Sequence, residues 1–387
     1  MLYMKLDNQK TILKKFAFLA CLMGLAACNN LKLISKKNPP LSMQHQNHLL
    51  VATSDYHSGA LLEISLTQQQ TEVFEIPIHS DAIVRAVEDG SLFYVVNRLG
   101  ADNIEWGSRE NRQIIGQFSV GRGTNPQDIA VLSPRIAYIS RLSSNRLLKV
   151  NPETGEFLKE IDLFATADSK TINSTDSDGL PEMTWMKTVG QKLWIVLQRL
   201  KADKDYEPSN KSQVAVLDTA KDRVDKIVTL KGTNPVTDFK QLGTEFLLGE
   251  AGKLGILDGG IELFDADLNS QGWVTTEEQL GGDVIDSALI DSDRGLAIVA
   301  KDIYGSKPKT QLICFEKRDG RVTSIIKDSG IYSLQQILVD EARNIFYLSD
   351  RDPRRPGVWG YNSKTLQPLH ETFYETGLPP YHMVLVP

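Results

Sequence analysis

Seven short apolar runs recur along this 387-residue chain, and their recurrence limits the possible folds more than any single motif does. They are Leu49–Ala52, Leu92–Val96, Ile136–Ile139, Leu193–Leu197, Glu245–Leu248, Gly295–Val299 and Asn344–Leu348, at a spacing of roughly 45 to 55 residues. Each is rich in Val, Ile, Leu, Phe or Tyr and is bounded by Gly, Pro, Asn, Asp or Ser, which reads as strand. No stretch carries a sustained helical period. A strand-only repeat of this length predicts an all-β, seven-bladed β-propeller, in which each four-stranded blade buries its faces only against its neighbours.

The remaining strands follow from the first seven. Arg146–Val150 and Glu156–Ile161 flank the turn Asn151-Pro-Glu-Thr-Gly155, and Val214–Leu217 with Lys226–Leu230 and Leu312–Phe315 with Val322–Ile326 form similar outer hairpins. Gly123-Thr-Asn-Pro126 and Gly232-Thr-Asn-Pro235 are near-identical entries into an inner strand, where Gly and Asn-Pro set a tight turn. The last segment, Leu378–Val386, has the form of an inner strand with no successor, while Leu49 opens on a second strand with no predecessor. The C-terminal strand is therefore expected to pair with the N-terminal blade and close the ring. Two long polar stretches, 165–179 and 199–212, are either solvated linkers or the walls of a binding mouth.

Lys5, Lys10, Lys14 and Lys15 precede the apolar run Phe16–Leu25, which is too short to span a bilayer and suits a secretory signal. Leu25-Ala26-Ala27-Cys28 resembles the bacterial lipobox, which implies cleavage before Cys28, lipidation of its thiol and membrane attachment through that anchor. With Asn29 and Asn30 next, the expected location is the outer membrane, periplasmic or surface-exposed. The domain reading is thus a signal peptide over 1–27, lipidated Cys28 and a polar tether over 28–47, and the propeller over 48–387. Cys21 leaves with the signal and Cys28 is acylated, so Cys314 remains as one buried thiol and no disulfide scaffold is possible. The formal charge of −6 offers no basic excess for nucleic acid.

Polar residues end every second strand in the same register: Ser54-Asp55-Tyr56-His57, Asn97-Arg98, Ser140-Arg141, Gln198-Arg199, Glu250, Lys301-Asp302 and Asp350-Arg351. They are either the solvated strand ends of any propeller or an Arg-rich funnel for an anionic or metal-complexed ligand. Inner-strand starts add Asp81, Asp128, Glu182, Asp238, Asp283 and His382, which cap turns or approach the axis. Trp106 and Tyr206, read as loop residues, are the aromatic contact candidates. Ring closure would bring His57, His79 and His382 towards one another, but their spacing does not require a metal site. No catalytic motif is present, and no metal ligand set or catalytic residue is assigned.

The units built as turn-Pro-x-x-Ile/Phe, apolar strand and a Val-Asn-Pro-Glu-Thr-Gly hairpin resemble YncE-like and cytochrome-d1-type propeller repeats of bacterial envelope proteins. The resemblance spans about residues 49–386, is clearest over Asn125–Asp162, and thins where Gly281-Gly-Asp283 replaces the Asn-Pro turn. It implies fold rather than chemistry. Lipoprotein members of this group include proteins that capture cobalamin or other cofactors for outer-membrane transporters. The leading expectation is therefore a non-enzymatic, monomeric binding protein for cobalamin, haem, a siderophore or an envelope protein partner such as a transporter. The alternatives are a metal-dependent propeller hydrolase or lyase of the lactonase or streptogramin-lyase type, and a structural assembly factor of the outer membrane.

Overall fold

The computed structural model describes residues 48–66, 74–163, 178–201 and 204–387, so Cys28 and the expected tether lie outside the described residues. Seven four-stranded antiparallel sheets are arranged as the blades of a β-propeller. The seven aligned apolar runs are the second strands of blades 1 to 7, from His48–Ser54 to Ile345–Asp350. Their innermost partners are Pro380–Val386, Ala82–Ala86, Pro126–Ser133, Met183–Val189, Lys240–Leu242, Asp283–Leu289 and Leu334–Asp340, in blade order. The expected outer hairpins are present in blades 3, 4 and 6. One four-residue helix, Glu277–Leu280, interrupts the passage from blade 5 to blade 6.

The alternation of strand side chains puts apolar residues on both faces of each blade, and neighbouring blades cover them. Seven separate apolar clusters result, each drawing its members from two adjacent blades. Between blades 4 and 5, for example, the buried Trp194 meets Phe239 and Phe246 edge-on at centroid distances of 5.2 and 4.8 Å. Cys314 is buried and unpaired in blade 6, as an inert core thiol would be.

The two Gly-Thr-Asn-Pro turns do the same work. Asn125 and Asn234 both take positive φ, 50° and 52°, a region that Asn enters more readily than most residues. Each Asn carbonyl accepts the amide that follows its blade's second strand, Leu142 in one case and Ala251 in the other, at 2.9 and 3.0 Å. The preceding Thr carbonyl accepts the next amide in both copies. The motif thus clips a blade's entry to the end of its own second strand.

Closure runs through blade 1, where Pro380–Val386 pairs with the N-terminal strand in a ladder from His48 opposite Val386 to Thr53 opposite Pro380. Met383 and Val386 are buried by it. A chain that stops at Thr376 exposes this apolar edge and leaves blade 1 without its axial strand. Its expected product is insoluble or non-cooperatively folded, read by size exclusion and thermal melting; a soluble monomer with unchanged melting would contradict the closure.

Candidate functional site

Inner strands start, and second strands end, on one face of the disc, here called the upper face. Matched inner-strand positions then point side chains at the axis: Asp128 in blade 3, Trp185 in blade 4, Asp286 in blade 6, Gln336 in blade 7 and His382 in blade 1. Three of them reach into the next blade and accept a backbone amide there. Asp128 Oδ2 accepts from Met186, Asp286 Oδ2 from Ile337 and Gln336 Oε1 from Met383, at 2.9, 2.7 and 2.6 Å. Each receiving strand carries a bulge just before that amide. Trp185, which can only donate, instead gives its indole N–H to the Val236 carbonyl of blade 5 at 3.0 Å.

His382 breaks the series. It faces Ala82–Ala86, which pairs without a bulge, and both of its ring nitrogens lack a hydrogen-bond partner. The ring is only 4% exposed and stacks on Trp185 at 5.9 Å. Burial, together with nearby Arg85, pushes its pKa well below the usual histidine value, so the imidazole is neutral.

Around it runs a chain of alternating charges. Arg85 binds Asp128 through Nε and Nη2 at 2.7 and 2.8 Å and approaches Asp238 at 3.6 Å. Lys240 joins Asp238 at 2.9 Å to Asp286 at 3.4 Å. Burial opposes ionisation of Asp238, but Lys240 and Arg85 together hold its carboxyl well below the usual range. For Asp286 burial prevails over Lys240, and its pKa is pushed up to about 6. The axial carboxylates are thus already occupied by cations and amides.

A cavity of about 60 Å³ remains among Trp185, Asp238, Lys240, Asp286, Gln335, Gln336, Tyr381 and His382. Gln335 and Tyr381 connect it to the mouth on the upper face. There Arg351 lies over the rings of Tyr56 and Tyr381 at 4.8 and 5.2 Å, a cation–π arrangement. Its hydrogen bonds go to neutral groups: Tyr56 Oη at 2.7 Å, the Ser54 carbonyl at 3.3 Å and Gln335 Oε1 at 3.5 Å. Its Nε has no partner, and among the described residues no carboxylate pairs with it. Tyr56 holds φ at 69°, an unfavourable value for an aromatic residue and one that accumulates at functional sites. Across Tyr381 sits Arg98, which donates to the Tyr381 hydroxyl at 2.6 Å and is paired with Asp81. A larger hollow of about 370 Å³ opens beside His48, Glu63 and Arg109, but it is off the axis, and Glu63 already binds the Arg109 guanidinium at 2.7 Å and lies 2.9 Å from His48 Nδ1.

The expected funnel is therefore smaller than the register of polar residues suggested. Tyr56, Arg98, Arg351 and His382 gather at the mouth and cavity. Asp55 folds back on the amides of His57 and Ser58, with His57 exposed beside it. Arg141 is buried, donating to the Val120 and Arg146 carbonyls and to Glu160. Arg199 is buried and donates to Gln213. Glu250 is buried against the amide of Gly232. Asp302 closes its own loop on the Lys307 amide, next to half-buried Lys301. Tyr206 ends the turn that leads into Glu207–Pro208, which pairs with Leu200–Lys201. Trp106 is a correction: it lies within the strand Asn103–Ser108, not a loop, and packs where Gly116 leaves room for its ring. Among the described residues no three His, Cys, Asp or Glu side chains are grouped to hold a metal ion, so His57, His79 and His382 do not form one. Arg85, Lys240, Asp286 and Gln336 were missed, although alternate inner-strand positions carry the signal that could have found them.

No protein-family model matches the chain, and no curated protein matches it. Solved structures do. The dihydro-heme d1 dehydrogenase NirN in complex with DHE is 12% identical with a TM-score of 0.57, covering 90% of this chain and 77% of that one. Hydrazine synthase of Kuenenia stuttgartiensis is 13% identical with a TM-score of 0.56, covering 77% and 87%. A candidate 6-phosphogluconolactonase of Bacteroides uniformis is 13% identical with a TM-score of 0.57, covering 86% and 97%. At such identity these likenesses establish the propeller fold alone.

Glu250 makes stability depend on pH. Its Oε1 lacks a donor and faces the Glu262 carboxyl, so a proton is needed between two acceptors. Burial, then Glu262, raises its pKa well above the ordinary carboxylate value. A raised folded-state pKa gives stability that is complete below the unfolded-state pKa and is lost as pH rises. Melting temperature is expected to fall less between about pH 5 and pH 8 in Glu250→Gln than in the wild type; identical slopes would show that Glu250 is ionised throughout.

Proposed function

We propose that this chain is a lipid-anchored envelope β-propeller that binds a small anionic ligand, a cofactor or metal complex, at the upper mouth of its axis without transforming it. The observation that carries the reading is Arg351: a half-buried guanidinium, braced by two tyrosine rings, whose hydrogen bonds are all to neutral groups. A guanidinium so placed has its desolvation cost met only in part, and a carboxylate or phosphate arriving from solvent supplies the missing charge. Beneath it, the neutral ring of His382 offers one nitrogen as donor and one as acceptor to whatever enters the cavity. NirN, a structural neighbour, was solved with DHE bound, which makes tetrapyrroles sensible first probes. Binding is favoured over metal-dependent hydrolysis because the axial carboxylates are engaged by Arg85, Lys240 and backbone amides.

The expected result of a thermal-shift screen with haem, cobalamins and ferric siderophores is stabilisation by one class, confirmed by native mass spectrometry. Arg351→Ala should weaken that binding about 10- to 100-fold, the loss expected for one charged hydrogen-bonding group, while leaving the fold intact. No stabilisation by any probe would transfer the proposal to an envelope protein partner. The anchor is tested separately: palmitate labelling of the expressed chain should disappear in Cys28→Ser.

A further inference from the structure

The axial cavity limits which part of a ligand can pass below the mouth. Its volume of about 60 Å³ holds about four waters, the room that a carboxylate with one or two carbons needs, and is far too small for a tetrapyrrole ring. The groups along it that are still free to hydrogen-bond are mainly donors. Gln335 uses its carbonyl oxygen to accept from Arg351, and its amide nitrogen has no acceptor among the described residues. Tyr381 Oη accepts from Arg98, and its own O–H has no acceptor among them either. Arg351 Nε at the mouth and one nitrogen of the almost fully buried, neutral His382 ring are two more. Of the charged groups that act most strongly on that ring, Arg85, Lys240 and Arg98 are cations and only Asp238 is a carboxylate. Asp286 also lines the cavity, but Lys240 lies between it and Asp238, at 3.4 and 2.9 Å. Trp185, Val236 and Ile285 give the wall an apolar part.

We infer that the group entering this cavity is a carboxylate on a short aliphatic stem, seated against the His382 ring, with a second acidic group of the same ligand held by Arg351 above it. The inference rests on reading the upper mouth as the ligand's entry. A carboxylate accepts hydrogen bonds and donates none, which suits the free donors of Gln335, Tyr381 and His382. Its single charge is easier to bury beside Asp238 and Asp286 than the double charge of a phosphate, and the apolar wall suits methylene groups, which an inorganic anion lacks. The arm has two possible sources. On a tetrapyrrole it is a propionate, and the ring stays outside the mouth; a free short dicarboxylate meets the same two points by itself.

Succinate, glutarate, haem and haem dimethyl ester, with succinamide as the neutral control, are titrated into the full chain. The readouts are thermal shift and the ring NMR signals of its six histidines. Either the two diacids or haem with free propionates should raise the melting temperature and move one histidine signal, the one that is missing in His382→Leu. Succinamide and the dimethyl ester should bind at least about tenfold more weakly, the loss expected for a charged hydrogen bond. Response to the diacids identifies a free dicarboxylate as the source, and response to haem alone identifies a cofactor arm. His382→Leu removes two buried nitrogens without partners, so it should melt no lower than the wild type while losing the response; His382→Gln, which keeps a donor, should retain part of it. No response to the diacids or haem, equal binding of the neutral forms, or full binding in His382→Leu would overturn the inference. The reading of the mouth fails separately, if a ligand that binds is indifferent to Arg351→Ala.

Discussion

A propeller blade is a sheet with two apolar faces and no means of covering either, and everything else in this protein depends on that constraint. Each of the seven apolar clusters belongs to two blades, so no blade is complete by itself. The ladder between His48–Ser54 and Pro380–Val386 makes the last pair of faces meet. It also explains why the most distant parts of the chain end up at the same place: Tyr56, Arg351 and Tyr381 are in contact because the ring closes there.

Closure brings inner strands together at an axis where seven sets of side chains converge in a small, poorly hydrated space. Such a space tolerates charge only if charge is paired. The chain Asp128, Arg85, Asp238, Lys240 and Asp286 satisfies that condition, and the amide-accepting side chains of Asp128, Asp286 and Gln336 bind blades 3, 6 and 7 to blades 4, 7 and 1. Against this background of satisfied groups, His382 and Arg351 stand out. Both ring nitrogens of His382 and Nε of Arg351 are buried without a hydrogen-bond partner and lie towards the upper mouth of the axis, where side chains from loops on a rigid scaffold usually make a propeller's site.

Much of the fold was legible because strand periodicity and turn chemistry are local. The second strands, the outer hairpins and the closing strand could all be located from runs such as Leu193–Leu197 and turns such as Asn151–Gly155. The site was legible only in part. Arg98 and Arg351 occupy the same position, one past the last residue paired with the inner strand, and reach the mouth, whereas Arg141 lies one residue before that position and Arg199 one after it, and both turn into buried contacts. A long side chain chooses among partners several ångströms apart, and that choice depends on neighbours far away in sequence. Trp106 was misplaced for a related reason: Asn103 and Gly107 beside it look like loop residues, but Gly107 is there to make room for Phe93 within the blade.

The amino-acid order by itself determined seven blades, their strand order and the pairing of the two ends, since alternation, spacing and turn residues act over a few positions. It also determined that alternate inner-strand residues would face the axis. Only the tertiary structure decided which of those residues would be paired and which left open. Pairing is settled by distances between blades, such as the bulge that presents Met383 to Gln336 and the straight strand that presents nothing to His382.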